Sequence, residues 1–195
     1  LEFIEDRELS GDTDRYDLSG MSESEISAAR VVKHAVATES RDASLLTIKV
    51  AGESGGKRQP LSEAQEGKLR SYIAEIKDAG VRVALVNMEA DTFSCTVDVY
   101  YNALLEPERV KADCEAAIQS YIENLPFNGE YTNMALIDAL QAVEGVKIAE
   151  LKGSTAQAAN EQTPTDINAR QTPAAGYFKP GKITVNMQAY DTQNV

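Results

Sequence analysis

The sequence contains few of the residues that most often carry catalysis or bind metal ions. Its 195 residues include one histidine, His34, two cysteines and no tryptophan. A single histidine excludes every metal site with two histidine ligands and every proton relay through a second imidazole. We therefore expect His34 to be an ordinary, partly exposed side chain.

Cysteines and aromatic residues are both scarce. Cys95 and Cys114 are too few for a disulfide framework and stand in no metal-ligand spacing. We expect both to be small buried apolar side chains in a reduced, intracellular setting. Aromatic residues make up 6% of the chain. The substrate groove of a glycoside hydrolase is normally lined with more aromatic side chains than this composition supplies.

Basic residues are outnumbered by acidic ones. The chain has 19 Lys and Arg residues against 31 Asp and Glu residues, a formal net charge of -12. Such a charge repels a phosphate backbone unless a local basic patch attracts it. The nearest candidates are the pair Lys57 and Arg58 and the pair Lys179 and Lys182, which are typical of solvated turns. We expect no nucleic-acid partner.

Long apolar runs are absent as well. No segment has the ~20 apolar residues needed to cross a bilayer, and the first ten residues lack the basic start and apolar centre of a secretory signal. We therefore expect no membrane association. The chain begins with Leu1 and not with methionine, which leads us to expect a fragment or a processed product of a longer protein.

Two short motifs suggest a ligand site, but each lacks a required residue. Asp12 and Asp14 match the start of a calcium-binding EF-hand loop, yet Asp17 stands where that loop needs its glycine. The segment GESGGK, residues 52–57, follows a predicted strand, but Arg58 stands in place of the Ser or Thr of a phosphate-binding loop. We expect no metal ion, no cofactor and no catalytic residue.

Hydrophobic periodicity predicts an α+β fold, with a mixed or antiparallel sheet covered by two to four helices. Two capping boxes, at Ser22 and at Ser62, mark helix starts. Residues 92–101 alternate strictly, which is typical of a half-exposed strand that runs antiparallel to its neighbour. The predicted helices cover residues 22–38, 62–79, 107–125 and a short segment from 132. The predicted strands cover residues 44–51, 81–88, 92–101, 146–151 and 182–190. A long surface loop is predicted over residues 153–175.

Composition divides the chain into three parts. Residues 1–20 are polar and aperiodic, which predicts an extended or loosely held arm. Docking of its few apolar residues stays open as an alternative; these are Phe3, Ile4, Leu9, Tyr16 and Leu18. Residues 21–152 are the predicted principal α+β domain, with residues 22–80 as a candidate sub-lobe and residues 81–152 as its core. Residues 153–195 are predicted to form the long loop and a final strand.

Aromatic residues gather at the ends of the predicted elements. One interpretation is that they close the ends of the core. The alternative is a protein interface, where tyrosine supplies apolar area together with a polar hydroxyl. The candidate interface residues are Tyr100, Phe127, Tyr131, Tyr177 and Phe178.

The succession of elements over residues 60–152 resembles the Baseplate J-like family of contractile-tailed phages and related injection systems. It comprises DAGVRVALV, the alternating ADTFSCTVDVYY, a helix that closes on LPFNGEY, a helix MALIDALQAVEGV and the strand VKIAEL. In that family a glycine-valine strand, an acidic turn, an aromatic-ended strand and a helix ending in an LPF-G turn follow in the same order. The order and spacing of these short motifs carry the resemblance.

The resemblance implies a non-catalytic structural subunit of the baseplate wedge, located in the virion tail and assembled in the host bacterial cytoplasm. The partners it implies are other baseplate and tail subunits, and it allows several copies of this chain in one assembly. Two alternatives stay open. One is a cell-surface binding or adhesion module, and the other is a transferase or hydrolase domain, which would need a pocket of convergent polar groups.

Overall fold

The computed structural model describes residues 2–11, 13–40 and 44–190. Within these ranges the chain forms four helices and ten strands in mixed and antiparallel sheets, which confirms the predicted α+β class. The chain divides into two compact units, residues 1–89 and 90–195, named here the amino-terminal and the carboxy-terminal unit. No helix in the described ranges combines the length and the apolar composition that spanning a membrane requires.

The amino-terminal unit is a small sheet with one packed helix. Its elements are α1 (Glu23–Ala29), β1 (His34–Ser40), β2 (Leu45–Ser54), β3 (Lys57–Gln59), α2 (Glu63–Ile76) and β4 (Arg82–Val86). Strand β2 pairs antiparallel with β1 and β3 and parallel with β4. Ile48 and Val50 of β2 form the core of this unit with Leu69 and Ile73 of α2. The unit therefore has its own hydrophobic centre.

Both predicted capping boxes are present. The Ser22 Oγ accepts a hydrogen bond from the Glu25 amide at 3.3 Å, and the Glu25 carboxylate accepts one from the Ser22 amide at 2.8 Å. Ser62 and Gln65 repeat the arrangement at 3.3 Å and 3.1 Å. These reciprocal bonds satisfy amides that a helix start otherwise leaves unpaired, so they fix where α1 and α2 begin.

The helix predicted over residues 22–38 is too long. Helix α1 ends at Ala29, and the chain continues as strand β1, which pairs with β2 from His34 to Ser40. Val31 and Val32 lie between α1 and β1, and Val36 lies in β1. Their β-branched side chains favour strands over helices. In so short a segment, a helical stripe and a two-residue alternation are difficult to distinguish.

The arm predicted over residues 1–20 is not loosely held. Within the described part of this segment, Phe3 and Ile4 are buried. The Phe3 ring lies 5.6 Å from the Tyr72 ring of α2, and the Tyr16 ring stacks on the same tyrosine at 5.7 Å. A few apolar side chains in an otherwise polar segment are therefore sufficient to dock it.

The carboxy-terminal unit is a four-stranded sheet under a layer of two helices. Its elements are β5 (Asp91–Asn102), α3 (Pro107–Glu123), β6 (Tyr131–Thr132), α4 (Asn133–Gln141), β7 (Val146–Gln157), β8 (Thr165–Asp166), β9 (Arg170–Gln171) and β10 (Phe178–Tyr190). The strand order is β10-β5-β7-β8, with β5 parallel to β10 and antiparallel to β7. Helix α3 packs against β10, and α4 packs against β7.

The core of this unit lies between β5 and the helices. Strand β5 buries every second residue, as its alternation predicts. These side chains meet the apolar stripe of α3 and the inner face of α4. The buried residues that β5, α3 and α4 contribute to this core are Phe93, Cys95, Val97, Val99, Val110, Cys114, Ile118, Ile122, Leu136 and Leu140.

The predicted core over residues 81–152 is divided between the two units. Strand β4 pairs with β2 in the amino-terminal unit and not with β5. Strand β5 does run antiparallel to a neighbour, but that neighbour is β7. The acidic turn after β4 therefore joins two units and does not form a hairpin.

The prediction of a long surface loop over residues 153–175 is wrong. Strand β7 continues through Ser154 to Gln157, and β8 and β9 lie inside the predicted loop. The described segment also buries Ala156 and Ile167. Residues 153–190 thus belong to the carboxy-terminal unit and do not form a separate tail.

A buried carboxylate fastens the chain segment that precedes β10. Asp91, at the start of β5, is 2% exposed. Its carboxylate accepts hydrogen bonds from the amides of Ala174 at 2.7 Å and Ala175 at 3.1 Å. The Asp91 amide in turn donates to the Tyr177 carbonyl at 3.1 Å. Three bonds on one residue therefore fix how the chain enters β10.

Replacing Asp91 with alanine should destabilise the carboxy-terminal unit. The buried Ala175 amide and the partly buried Ala174 amide would lose their acceptor, and a buried unsatisfied group costs about 1–3 kcal/mol. We expect the free energy of unfolding, measured by urea denaturation, to fall by at least that amount. Asp113→Ala is the matched control, because Asp113 is exposed and its carboxylate forms a surface ion pair with Arg109. An Asp91→Ala variant as stable as this control would contradict the assignment.

Candidate functional site

Three of the five candidate interface residues lie inside the carboxy-terminal unit. Tyr131 is fully buried, and Tyr177 and Phe178 are 4% and 6% exposed. The Tyr131 ring lies 4.7 Å from Phe93 and 6.4 Å from Phe178. These three side chains therefore pack inside the unit, where a partner protein does not reach them in this conformation.

Phe127 is partly exposed and covers a turn. Its ring lies 6.1 Å from the Tyr177 ring. It also lies over Gly176, where an added Cβ would come within 2.8 Å of the Phe127 ring. Gly176 has φ +93°, a conformation that side chains rarely adopt, so both its backbone and its surroundings require glycine. The LPFNG turn is thereby docked on the turn that precedes β10.

Tyr100 lies on the face of the sheet opposite the helices. This surface, named here the open sheet face, is formed on β5 by Thr92, Ser94, Thr96, Asp98 and Tyr100. The register places Ile148 of β7 and Gln188 of β10 beside Tyr100. Of the five candidates, Tyr100 and Phe127 are the two that a partner can reach.

Asp98 connects three strands across the open sheet face. The Asn186 side-chain amide of β10 donates to its carboxylate at 2.8 Å, and the Lys152 ammonium of β7 lies 3.5 Å away. Lys152 also pairs with Glu150 at 2.8 Å. The hydrogen bond with Glu150 and the charges of Glu150 and Asp98 raise the pKa of Lys152, which therefore stays charged at neutral pH. The polar face is thus held in a defined arrangement.

The helical layer contains an apolar groove, which sequence reasoning did not find. This helix groove lies between the end of α3 and α4 and has a volume of about 530 Å³. Its walls are mainly apolar, and it is open to the surface. The lining residues are Ala117, Ser120, Tyr121, Asn124, Leu125, Pro126 and Ala139.

The polar groups of the helix groove are bonded to nearby protein atoms. The Tyr121 hydroxyl donates to the Thr132 carbonyl at 3.4 Å and accepts from the Thr132 amide at 3.3 Å. The Asn124 side-chain amide donates to the Ser120 carbonyl at 2.8 Å and contacts its Oγ at 3.0 Å. What the groove offers to a ligand is mainly apolar contact area, and such area suits a partner side chain.

Two large apolar side chains of the helical layer are exposed. Leu104, in the turn before α3, is 91% exposed, and Met134, in the first turn of α4, is 73% exposed. Methionine is enriched at protein interfaces because its flexible side chain adapts to different surfaces. Both residues therefore add to the apolar area that this layer presents.

Charge is distributed unevenly within the unit. Helices α3 and α4 carry five acidic and two basic side chains, whereas the long strands β5, β7 and β10 carry three acidic and four basic ones. Asp138 lies beside the groove residue Ala139 on α4. The two helices that line the helix groove therefore carry more acidic than basic side chains, which favours a basic partner.

The remaining chemistry-bearing groups do not converge on a site. No cluster of three His, Cys, Asp or Glu side chains able to hold a metal ion occurs within the described ranges. His34 lies on β1 in the amino-terminal unit, with its Nε2 3.4 Å from a Glu53 oxygen. Cys95 and Cys114 are buried, as predicted, in the core of the other unit.

The hydroxyl of Tyr131 is buried. Burial raises its pKa far above the ordinary value. Ser154 is nearby, but its Oγ donates to the Asn133 side chain at 3.0 Å, and no hydrogen bond of ordinary geometry reaches the tyrosine within the described residues. Tyr131→Phe should therefore leave the free energy of unfolding unchanged or raise it by up to about 1 kcal/mol.

Tyr131→Ala is the comparison for that prediction. It leaves a cavity in the aromatic cluster and should cost about 3–5 kcal/mol, as truncation of other buried aromatic residues does. Thermal and urea denaturation of both variants measure the difference. A loss above 1 kcal/mol in the Phe variant would show that the hydroxyl is bonded.

The two thiols should be unreactive in the folded protein. Burial raises the pKa of Cys95 and of Cys114 from 9.0 to about 11. Because the thiolate is the reactive species, we expect a disulfide reagent at pH 8 to label the native protein only as fast as it unfolds. The denatured protein is the control and should react fully. Rapid labelling of the native protein would contradict the buried placement.

The same shifts predict a pH dependence of stability. The folded thiols keep their protons to a higher pH than the unfolded ones, so unfolding releases protons between pH 9.0 and about 11. The contribution of the thiols to stability is complete below pH 9.0 and is lost as the pH rises through this window. A Cys95→Ala, Cys114→Ala variant should show a smaller decrease in its free energy of unfolding over the same range.

Comparison with known proteins identifies no family for this chain. Neither the models of known protein families nor the curated proteins give a match. The resemblance to the Baseplate J-like family therefore stays a prediction.

Proposed function

We propose that this chain is a non-catalytic structural subunit of a contractile-tail baseplate, a component of the wedge that acts through protein-protein contacts. Its place is the virion tail, which is assembled in the bacterial cytoplasm. The partners are other baseplate and tail subunits. The resemblance supplies this identity, and the helix groove is the single observation that supports an assembly role most directly.

The groove favours assembly because of what it offers to a partner. It is open, it is mainly apolar, and its polar groups are occupied by local hydrogen bonds. An enzyme pocket usually gathers several polar groups that are aimed at the substrate. A groove of apolar walls instead suits the insertion of a partner's apolar side chain.

The charge around the groove specifies the partner further. The acidic helices attract a segment that carries lysine or arginine and repel the acidic surface of another copy of this chain. We therefore propose that a neighbouring tail subunit inserts an apolar side chain flanked by basic residues. The carboxy-terminal unit, which contains the motifs from ADTFSCTVDVYY to VKIAEL, provides a rigid support for this contact.

Localisation of the chain tests the proposed function. The protein is tagged in a strain that carries its gene, tail particles are induced and sedimented, and the tag is detected by immunogold electron microscopy. We expect label at the baseplate end of particles with a tube and a contractile sheath. Label on the cell surface without particles would support an adhesion module instead and would overturn the proposal.

A substitution in the groove tests the contact itself. Ala139→Arg places a bulky cation in the groove, which should exclude a basic partner and lower incorporation into particles at least tenfold. Gln119→Arg adds the same side chain at an exposed position of α3 outside the groove lining, so its incorporation should be unchanged. Both variants must unfold at the same temperature for the comparison to count. Equal incorporation of the two would show that the groove is not the contact.

A further inference from the structure

Strand β10 forms an edge of the sheet in the carboxy-terminal unit. It is 13 residues long, from Phe178 to Tyr190, and pairs with β5 along one side. Across residues 2–11, 13–40 and 44–190, no strand pairs with its other side. An edge of this length presents a row of backbone amides and carbonyls that can pair with another strand.

The two halves of this edge differ in how well they are protected. The first half contains Lys179, Pro180 and Lys182, and its register shifts between Pro180 and Ile183. Charge, proline and irregular register are the usual means by which a protein prevents pairing at an edge. Residues 183–190, with the sequence ITVNMQAY, have regular register, no charge and no proline. This second half, named here the β10 edge, has none of those protections.

Side chains on the β10 edge alternate between the two faces of the sheet. Thr184, Asn186 and Gln188 align with the outward residues of β5 and lie on the open sheet face. Val185 is 5% exposed and packs into the core, as do the partly buried Ile183 and Met187. Any strand that adds here must therefore present polar residues to one face and apolar residues to the other.

We propose that the β10 edge pairs antiparallel with the same edge of a second copy of this chain. With the two-fold axis at Asn186, Thr184 of one copy lies opposite Gln188 of the other, and Val185 lies opposite Met187. Polar residues then meet polar residues on the open sheet face, and apolar residues meet on the helical side.

Charge makes a second copy the best occupant of this edge. The chain has a net charge of -12, so most of its surface repels a second copy. The β10 edge carries no acidic residue, and the strand that contains it carries two lysines and no acid. Two copies can approach there without placing like charges opposite one another within residues 183–190. The result is an isologous dimer in which two four-stranded sheets become continuous.

The proposal does not depend on the baseplate function. It follows from the sheet order and from the residues of β10, and it would hold for an adhesion module as well. Its failure would leave the helix groove and the localisation of the chain untouched, so the two proposals are tested separately.

Sedimentation equilibrium of the purified chain over a series of concentrations tests for the dimer. We expect a reversible monomer-dimer equilibrium that shifts toward dimer as salt is added, because screening weakens the repulsion between two acidic chains. A chain that stays monomeric throughout the series, in low and in high salt, would overturn the proposal.

A pair of double variants tests the register. Thr184→Lys with Gln188→Lys places like charges opposite each other twice across the two-fold axis, and should weaken the dimer about tenfold. Thr184→Lys with Gln188→Glu places opposite charges in the same positions, and should leave the dimer as tight as in the unmodified chain or tighter. The matched change at residue 184 makes the second variant the control for folding.

The outcome is decided by the difference between these two variants. Equal thermal unfolding temperatures show that neither change has damaged the sheet. Loss of the dimer in the first variant with retention in the second supports pairing at the β10 edge in this register. Equal dimer affinity of both variants would place the contact elsewhere and overturn the proposal.

Discussion

The carboxy-terminal unit depends on the burial of one face of β5. Successive side chains of a strand point to opposite faces, and helices α3 and α4 cover only one of them. The buried face is closely packed, since Phe93, Val97 and Val99 are fully inaccessible. The alternate residues of β5, from Thr92 to Tyr100, are partly exposed on the other face, away from α3 and α4. An open polar face is therefore a geometric consequence of this architecture.

The same constraint determines the role of the potentially reactive groups. Cys95 occupies a buried position of β5, and Cys114 lies on the helix above it, so burial keeps both thiols protonated. Asp91 is buried at the start of the strand, where it binds two backbone amides. Tyr131 closes the aromatic cluster. In each case the observed contacts stabilise the fold, and the surfaces that remain are suited to contact.

Sequence periodicity predicted the elements in which a pattern is sustained. Strand β5 alternates over its whole length, and α2 has both a capping box and a long apolar stripe. The segment at 153–175 was misjudged because most of its buried side chains are small: Ser154, Ala156 and Ala175 resemble the residues of a loop. Strand β1 was misjudged because its alternation covers too few residues to differ from a helical stripe.

The candidate surfaces were harder to predict than the fold. Tyr100 and Tyr131 look alike in the sequence, but one is an outward residue of a strand and the other is enclosed by Phe93 and Phe178. Their difference depends on which elements cover them. The helix groove is formed by residues of two helices and the turn between them, so no local motif marks it. Tertiary arrangement, and not residue type, decides which apolar groups remain accessible.

One residue of β10, Asn186, takes part both in the sheet of its own chain and in the proposed dimer edge. A final strand parallel to β5 must arrive by a crossover, and here it is added at the outer side of the sheet. The Asn186 side chain already binds Asp98, so the middle of the β10 edge is held in place within a single copy. A group that is ordered before association loses less conformational entropy when a partner binds. The interaction that joins β10 to its own sheet therefore also prepares the edge to accept another strand.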